Sequence, residues 1–252
     1  MKLLPLALAV GLFLSACSST PDATTIPEES PEPIPTQEAV TENDLTAAIN
    51  RTRESGTAQM EILILTTLGD QEAALTGNGS VEFATGFADV TWSDESGAVV
   101  ERRTQDGLFV HIDPPDGPWY QLEDDDSTPT TFSLEPLADL TSVVDVVNEG
   151  AEVLDGQATT RLVGTSPAAS CLDGAGFSDE DRVLIEQTND IICRVSVWVD
   201  DAGVIVRIDR LFAADINADL RASSLRSTTL SGFGEPVVIT TPPKVEPAPE
   251  SQ

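Results

Sequence analysis

The sequence predicts an α+β protein built on one large, curved antiparallel β-sheet, with two or three helices packed on one face. Three observations carry that expectation. Period-two alternation of apolar and polar residues recurs along most of the chain, as in strands that bury one face. Turns rich in Gly, Asp and Pro separate these ladders at short intervals, which favours antiparallel neighbours. Helical stretches are few and do not alternate with strands as βαβ units. The count comes to ten or eleven strands, with no internal repeat at a fixed period.

The chain begins with Lys2 and an apolar run, Leu3 to Leu14, too short to span a bilayer and typical of a signal-peptide core. The run ends in Leu14-Ser15-Ala16-Cys17, which matches the bacterial lipobox. Residues 1–16 are therefore expected to be a lipoprotein signal peptide. Cys17 is expected to carry the acyl chains that tether the protein to the outer face of the cell membrane. One chain binds a membrane marginally; two or three anchor it. Residues 17–42 are rich in Pro, Glu, Ser and Thr and cannot bury a core, so they read as a disordered acidic tether.

One folded domain is expected over residues 43–243. Thr41, with Asp44 three residues on, caps a helix whose Leu45, Ala48 and Ile49 form a narrow apolar stripe ended by Ser55-Gly56. A long first strand, Thr57–Leu68, places Met60, Ile62 and Ile64 on one face. The second strand, Glu72–Thr85, contains Gly77 and Gly79, read as a bulge or bend. Short strands follow at Phe87–Ser93, Gly97–Thr104, Gly107–Ile112 and Trp119–Leu122. After an acidic loop, Ser133 is expected to cap a second helix with Leu134, Leu137, Leu140, Val144 and Val147 on one face and Gly150 as its stop. Ala158–Gly164 reads as a strand, and Ser178 caps a short helix within 165–189.

The clearest ladder is the hairpin Arg194–Phe212. Val195, Val197 and Val199 on the first arm and Val204, Val206 and Ile208 on the second are expected on one face, joined by a turn at Asp200–Gly203. Ala222–Phe233 and Pro236–Thr240 are the last expected strands. Residues 244–252 read as a disordered polar tail.

Composition narrows the function. The chain has 13 Lys+Arg against 43 Asp+Glu, a formal charge of −30. Phosphate backbones are repelled, so nucleic acid is excluded as a partner. Anionic headgroups are repelled too, leaving the acyl anchor to hold the protein at the membrane.

Nothing in the sequence has the pattern of a catalytic centre. No nucleophile elbow accompanies the sole histidine, His111, which reads as a surface strand residue. The acidic run Glu123–Asp126 lacks the spacing of a calcium loop. No metal ligand set and no cofactor motif is found, and an enzyme is not expected. Cys171 and Cys193 remain as an even pair in an exported chain and are expected to form a structural disulfide, since a redox site calls for Cys-x-x-Cys and a metal site for further His or Cys. Trp119, Tyr120 and Trp198 fit either core packing or the lining of a ligand cavity.

The order of these pieces resembles the LppX/LprG group of actinobacterial lipoproteins, relatives of the LolA/LolB lipoprotein carriers. The likeness rests on the lipobox with its Pro-rich tether, and on the leading helix before a Gly-punctuated strand pair. It rests also on Gly107-Leu-Phe-Val110 followed by Gly117-Pro-Trp-Tyr120, and on Trp198-Val-Asp200 with Phe233-Gly-Glu-Pro-Val237. The acidity and the cysteine-bounded insertion depart from that pattern. The resemblance implies a LolA-like half-barrel with its helices on the concave face. It also implies a lipid or lipoglycan ligand, bound with or without transfer within the envelope. Candidate lining residues are Met60, Ile62, Ile64, Leu137, Leu140, Val144, Trp119 and Trp198. The alternative is a ligand-free interaction or scaffold lipoprotein of the same fold. Oligomeric state is not set by the sequence.

Overall fold

The computed structural model describes residues 42–247, apart from positions 96, 113, 115, 123–133, 174, 176, 178, 189–190 and 218–219. The signal peptide, Cys17, the tether, the Glu123–Asp126 run and the expected caps Thr41, Ser133 and Ser178 lie outside the described residues.

Helix α1 (Glu42–Glu54) leads into six antiparallel strands: β1 (Thr57–Leu68), β2 (Gln71–Glu82), β3 (Phe87–Asp94), β4 (Gly97–Thr104), β5 (Gly107–Ile112) and β6 (Trp119–Leu122). After a 3-10 turn, Ala138–Ser142, come β7 (Val144–Leu154) and β8 (Gln157–Thr165). Helices α2 (Ala168–Asp173) and α3 (Asp179–Glu186) precede β9 (Ile191–Asp200), β10 (Ile205–Asn217), β11 (Leu220–Ser231) and β12 (Val245–Pro247). The strands form one open sheet in the order β12-β6-β5-β4-β3-β2-β1-β11-β10-β9-β8-β7. Two meanders, β1–β6 and β7–β11, therefore meet at its centre, where β1 pairs antiparallel with β11.

This order has a consequence for the link from β6 to β7. It runs from one side of the sheet to the opposite edge, ten strand spacings apart, roughly 48 Å if the sheet were flat. Residues 134–143 of that link lie across the sheet, with Leu134, Leu137, Leu140 and Val143 in the main hydrophobic core. We call this segment the strap and the face it crosses the inner face.

Strand positions agree closely with the sequence expectation through β6, where alternation and turn residues coincide. Four features differ. The helix expected over 134–147 is absent: only the 3-10 turn is helical, and Val144 opens a strand. Val144 and Val147 are 48% and 54% exposed, whereas Val143 and Val146 are buried. Four β-branched valines around Asp145 suit a pleated edge better than a helix, and β8 is available to pair with them. Gly77 and Gly79 mark no bulge, because β1–β2 pairing continues through them without a register shift. They mark close approaches: a Cβ at Gly77 would meet the Trp92 ring at 2.7 Å, and one at Gly79 would collide with the Asp89 carbonyl.

Pro236–Thr240 is not a strand; the third difference is that the final strand lies later, where Val245–Pro247 pairs parallel with β6. Thr240 accepts a hydrogen bond from Arg102 and Thr241 contacts Thr104, which ties the intervening chain to β4. Fourth, a register shift between Ile205 and Arg207 puts Ile205 into the main core cluster beside Ile208, whereas Val206, also buried, stands outside that cluster. The backbone N–H of Ile205 finds its partner in the buried Thr52 hydroxyl of α1, at 2.9 Å. The hairpin turn itself is as expected, with Gly203 at φ +80° and Asp200 accepting from the Ala202 and Val204 amides.

Candidate functional site

Strand periodicity decides which side chains share the inner face. On β1 these are Met60, Ile62 and Ile64, each 1–4% exposed. Their neighbours on β11 and β10 include Leu230 and Ile208, and β9 adds Val195 and Val197. Val81, Val90 and Trp92 continue the surface across β2 and β3. Helix α1 covers part of it through Leu45, Ala48 and Ile49, as its apolar stripe requires. The strap covers the rest of the described centre, with Leu137 and Leu140 fully buried. Five of the expected lining residues thus come together: Met60, Ile62, Ile64, Leu137 and Leu140.

Polar contacts help to fasten the strap. Arg53 of α1 pairs with Glu135 at 3.2 Å, both side chains about a third exposed, a pair that contributes about 0–1 kcal/mol. Arg210 on β10 donates to the Pro136 carbonyl at 2.8 Å.

A second apolar cluster occupies the other end of the same face. Cys171, Leu172 and Ile185 of α2 and α3 pack there on Phe212, Ala214 and Ala222. Cys171 and Cys193 form a disulfide with a Cα–Cα distance of 6.0 Å, which ties α2 to β9. Sequence reading expected this bridge and one short helix; the region holds two.

Between the clusters runs a polar waist. Thr66 and Ser224 both donate to the Ala175 carbonyl. Arg210 and Arg226 face each other across β10 and β11 and are 9% and 4% exposed. Burial lowers the pKa of both; for Arg226 burial and the adjacent Arg210 bring it down to about 9. Asp139 of the strap counters both charges, and Glu101 on β4 counters Arg226. Burial holds the Glu101 carboxyl above its usual range, although Trp92 Nε1 donates to it at 2.9 Å.

The inner face opens to solvent beside Trp92. An open cavity of about 220 Å³ is lined there by Leu75, Trp92, Gly97, Ala98, Val99 and Ile112.

Three expected lining residues lie elsewhere. Val144 is exposed on the edge strand β7. Trp119 and Trp198 sit on the outer face, because their register partners alternate with the inner set. Trp198 is flanked by Arg161 and Arg207 at 5.0 and 5.3 Å and donates to Glu152. Trp119 stacks on His111 at 4.7 Å. His111 is buried rather than on the surface, with Nε2 2.7 Å from the Gly117 carbonyl. A strand histidine two residues from a proline-rich turn carried no signal of that packing. Sequence reading also missed the two buried arginines, since Arg at an inward strand position looks like any solvated charge until the register is known.

No family model matches the chain, and no curated protein matches it. Among solved structures, the Mycobacterium tuberculosis lipoprotein LppX is similar over 79% of this chain and 97% of its own, at 19% identity and a TM-score of 0.50. The chain has the LppX-type fold. LprF from Mycobacterium bovis matches over 80% of this chain and 96% of its own, at 16% identity and a TM-score of 0.44. At such identities the LppX likeness fixes the architecture and leaves the ligand to the residues of this chain.

Proposed function

We propose that the protein is an envelope lipoprotein that binds the acyl chains of a lipid or lipoglycan on the inner face of its sheet. In this reading an acylated Cys17 anchors it to the outer face of the cell membrane, and it hands its ligand on without catalysing a reaction. The observation that carries the reading is the cover of the inner face. A broad apolar surface is closed at its centre by an irregular strap with one 3-10 turn, whose polar ties include a hydrogen bond from Arg210 to a strap carbonyl and the partly exposed Arg53–Glu135 ion pair. Leu137 and Leu140 bury apolar surface worth about 25 cal/mol per Å². An acyl chain in their place buries surface of the same kind, so exchange of strap for ligand is close to balanced. The opening beside Trp92 offers a way in. The LppX-type fold supports the reading as analogy. No helix among the described residues is long and apolar enough to cross a membrane.

Binding of a fluorescent fatty acid or phospholipid tests this directly. Wild type should bind, and Leu140→Ala should bind more tightly, since it weakens the strap's own hold on the inner face that the ligand must displace. Absence of binding by wild type would leave the ligand-free scaffold reading. Attachment is tested separately: Cys17→Ser should lose incorporation of a radioactive fatty acid in the producing cells, and undiminished label would refute the anchor.

A further inference from the structure

In a chain with 43 acidic and 13 basic residues, two arginines lie buried side by side in the interior. Arg210 and Arg226 are direct cross-strand partners on the inner face. Like charges in that arrangement repel, and burying a cation is costly unless a partner repays it. An apolar pair at these positions would complete the face more cheaply, since Ile64 and Val195 are the next residues of the same cross-strand row.

The groups that face the pair are in part neutral or only partly charged. Arg210 donates to Pro136, a neutral carbonyl. Glu101 has its carboxyl pushed toward the protonated form by burial, and Asp139 is a single half-buried acid on the strap. Next along β11, on the same face, Thr228 is 0% exposed. Its hydroxyl has no hydrogen-bond partner among the described residues. A buried hydroxyl in that state is costly and marks a site for a further polar group.

We propose that Arg210 and Arg226, with the Thr228 hydroxyl, form a binding site for the anionic head, carboxylate or phosphate, of an amphiphilic ligand. The inference rests on the lipid-binding reading above and adds the head to the chain. Two guanidiniums suit such a group because each presents a planar fork of donors to its oxygens. The place suits an amphiphile as well: the waist has apolar surface on both sides, around Ile62 and Ile208 toward one end and Phe212 and Ala222 toward the other. The net charge of −30 repels free anions at long range, so the site favours an anion brought in by burial of its own chain.

The test compares ligands that differ only in the head. Wild-type protein, stripped of bound lipid, is titrated with a fluorescent fatty acid and its methyl ester, and with a fluorescent phosphatidic acid and the matching diacylglycerol. Within at least one pair the acid should bind about tenfold or more tightly; the pair in which it does so identifies carboxylate or phosphate as the head. Arg226→Gln should bring the acid down to the level of its neutral counterpart while leaving the latter unchanged, and Arg226→Lys should keep part of the preference. Equal binding of acid and neutral partner in both pairs by wild type overturns the site while leaving lipid binding intact, and needs no variant. A preference that survives in Arg210→Gln/Arg226→Gln also overturns it. Failure of all four ligands to bind sinks the lipid-binding reading and this site with it.

Discussion

Truncating Leu137 and Val147 separately distinguishes the strap from the amphipathic helix that the sequence suggests at the same place. On a helix over 134–147 both residues lie on the buried stripe, and both changes to Ala are costly. In the structure Leu137 is 0% exposed within the main core and Val147 is 54% exposed on β7. Leu137→Ala removes three carbons, worth about 2.4 kcal/mol at roughly 0.8 kcal/mol per methylene. The cavity left behind extends the range to about 5 kcal/mol. Val147→Ala should stay within about 0.5 kcal/mol. Urea unfolding of lipid-free protein, followed by fluorescence and by far-ultraviolet circular dichroism, measures both. The Leu137 variant should also melt roughly 5–20 °C lower, at about 2–4 °C per kcal/mol for a domain of this size. Equal losses in the two variants would refute the strap and restore the helix. A Leu137→Ala loss below about 0.5 kcal/mol would show that the strap is not seated in the core.

Two further predictions concern the flanks of the site. Cys193→Ala opens a loop spanning a sequence separation of 22 and should cost about 3 kcal/mol on the chain-entropy account; a melting temperature equal to that of the untreated wild type would show that the bridge contributes nothing. Glu101 supplies a pH signature. Its folded-state pKa lies above the ordinary value because burial disfavours the carboxylate, with Trp92, Arg226 and Arg103 pulling the other way. The folded state therefore holds a proton that the unfolded chain releases, and stability falls as pH rises from about 4.5 toward the folded-state value, then levels. Glu101→Gln cannot ionise, so its stability relative to wild type should grow between pH 4 and pH 7; a difference that is flat or shrinks over that range contradicts the assignment.

Much of the architecture is determined by local pattern. Alternation with bounded turns located every strand from β1 to β6 and the β9–β10 hairpin, because period two and a left-handed Gly203 are properties of a few consecutive residues. The apolar stripe of α1 and the pairing of Cys171 with Cys193 were legible for the same reason. What the tertiary structure decided are matters of register and of long-range crossing. One shifted residue between Ile205 and Arg207 brings Ile205 into the main core cluster and leaves the buried Val206 outside it, and no local pattern announces it. Trp119 and Trp198 fall on the outer face because parity is inherited strand by strand across the sheet. The stretch 134–147 satisfies the helical period and the strand propensity at once; its state is settled by β8, which offers a pairing edge, and by the distance from β6 to β7 that the chain must cover. Arg210 and Arg226 are sixteen residues apart in the sequence and become neighbours only when β10 and β11 pair. A charge is read as solvated until the sheet closes over it, and that burial is a property of the assembled fold alone.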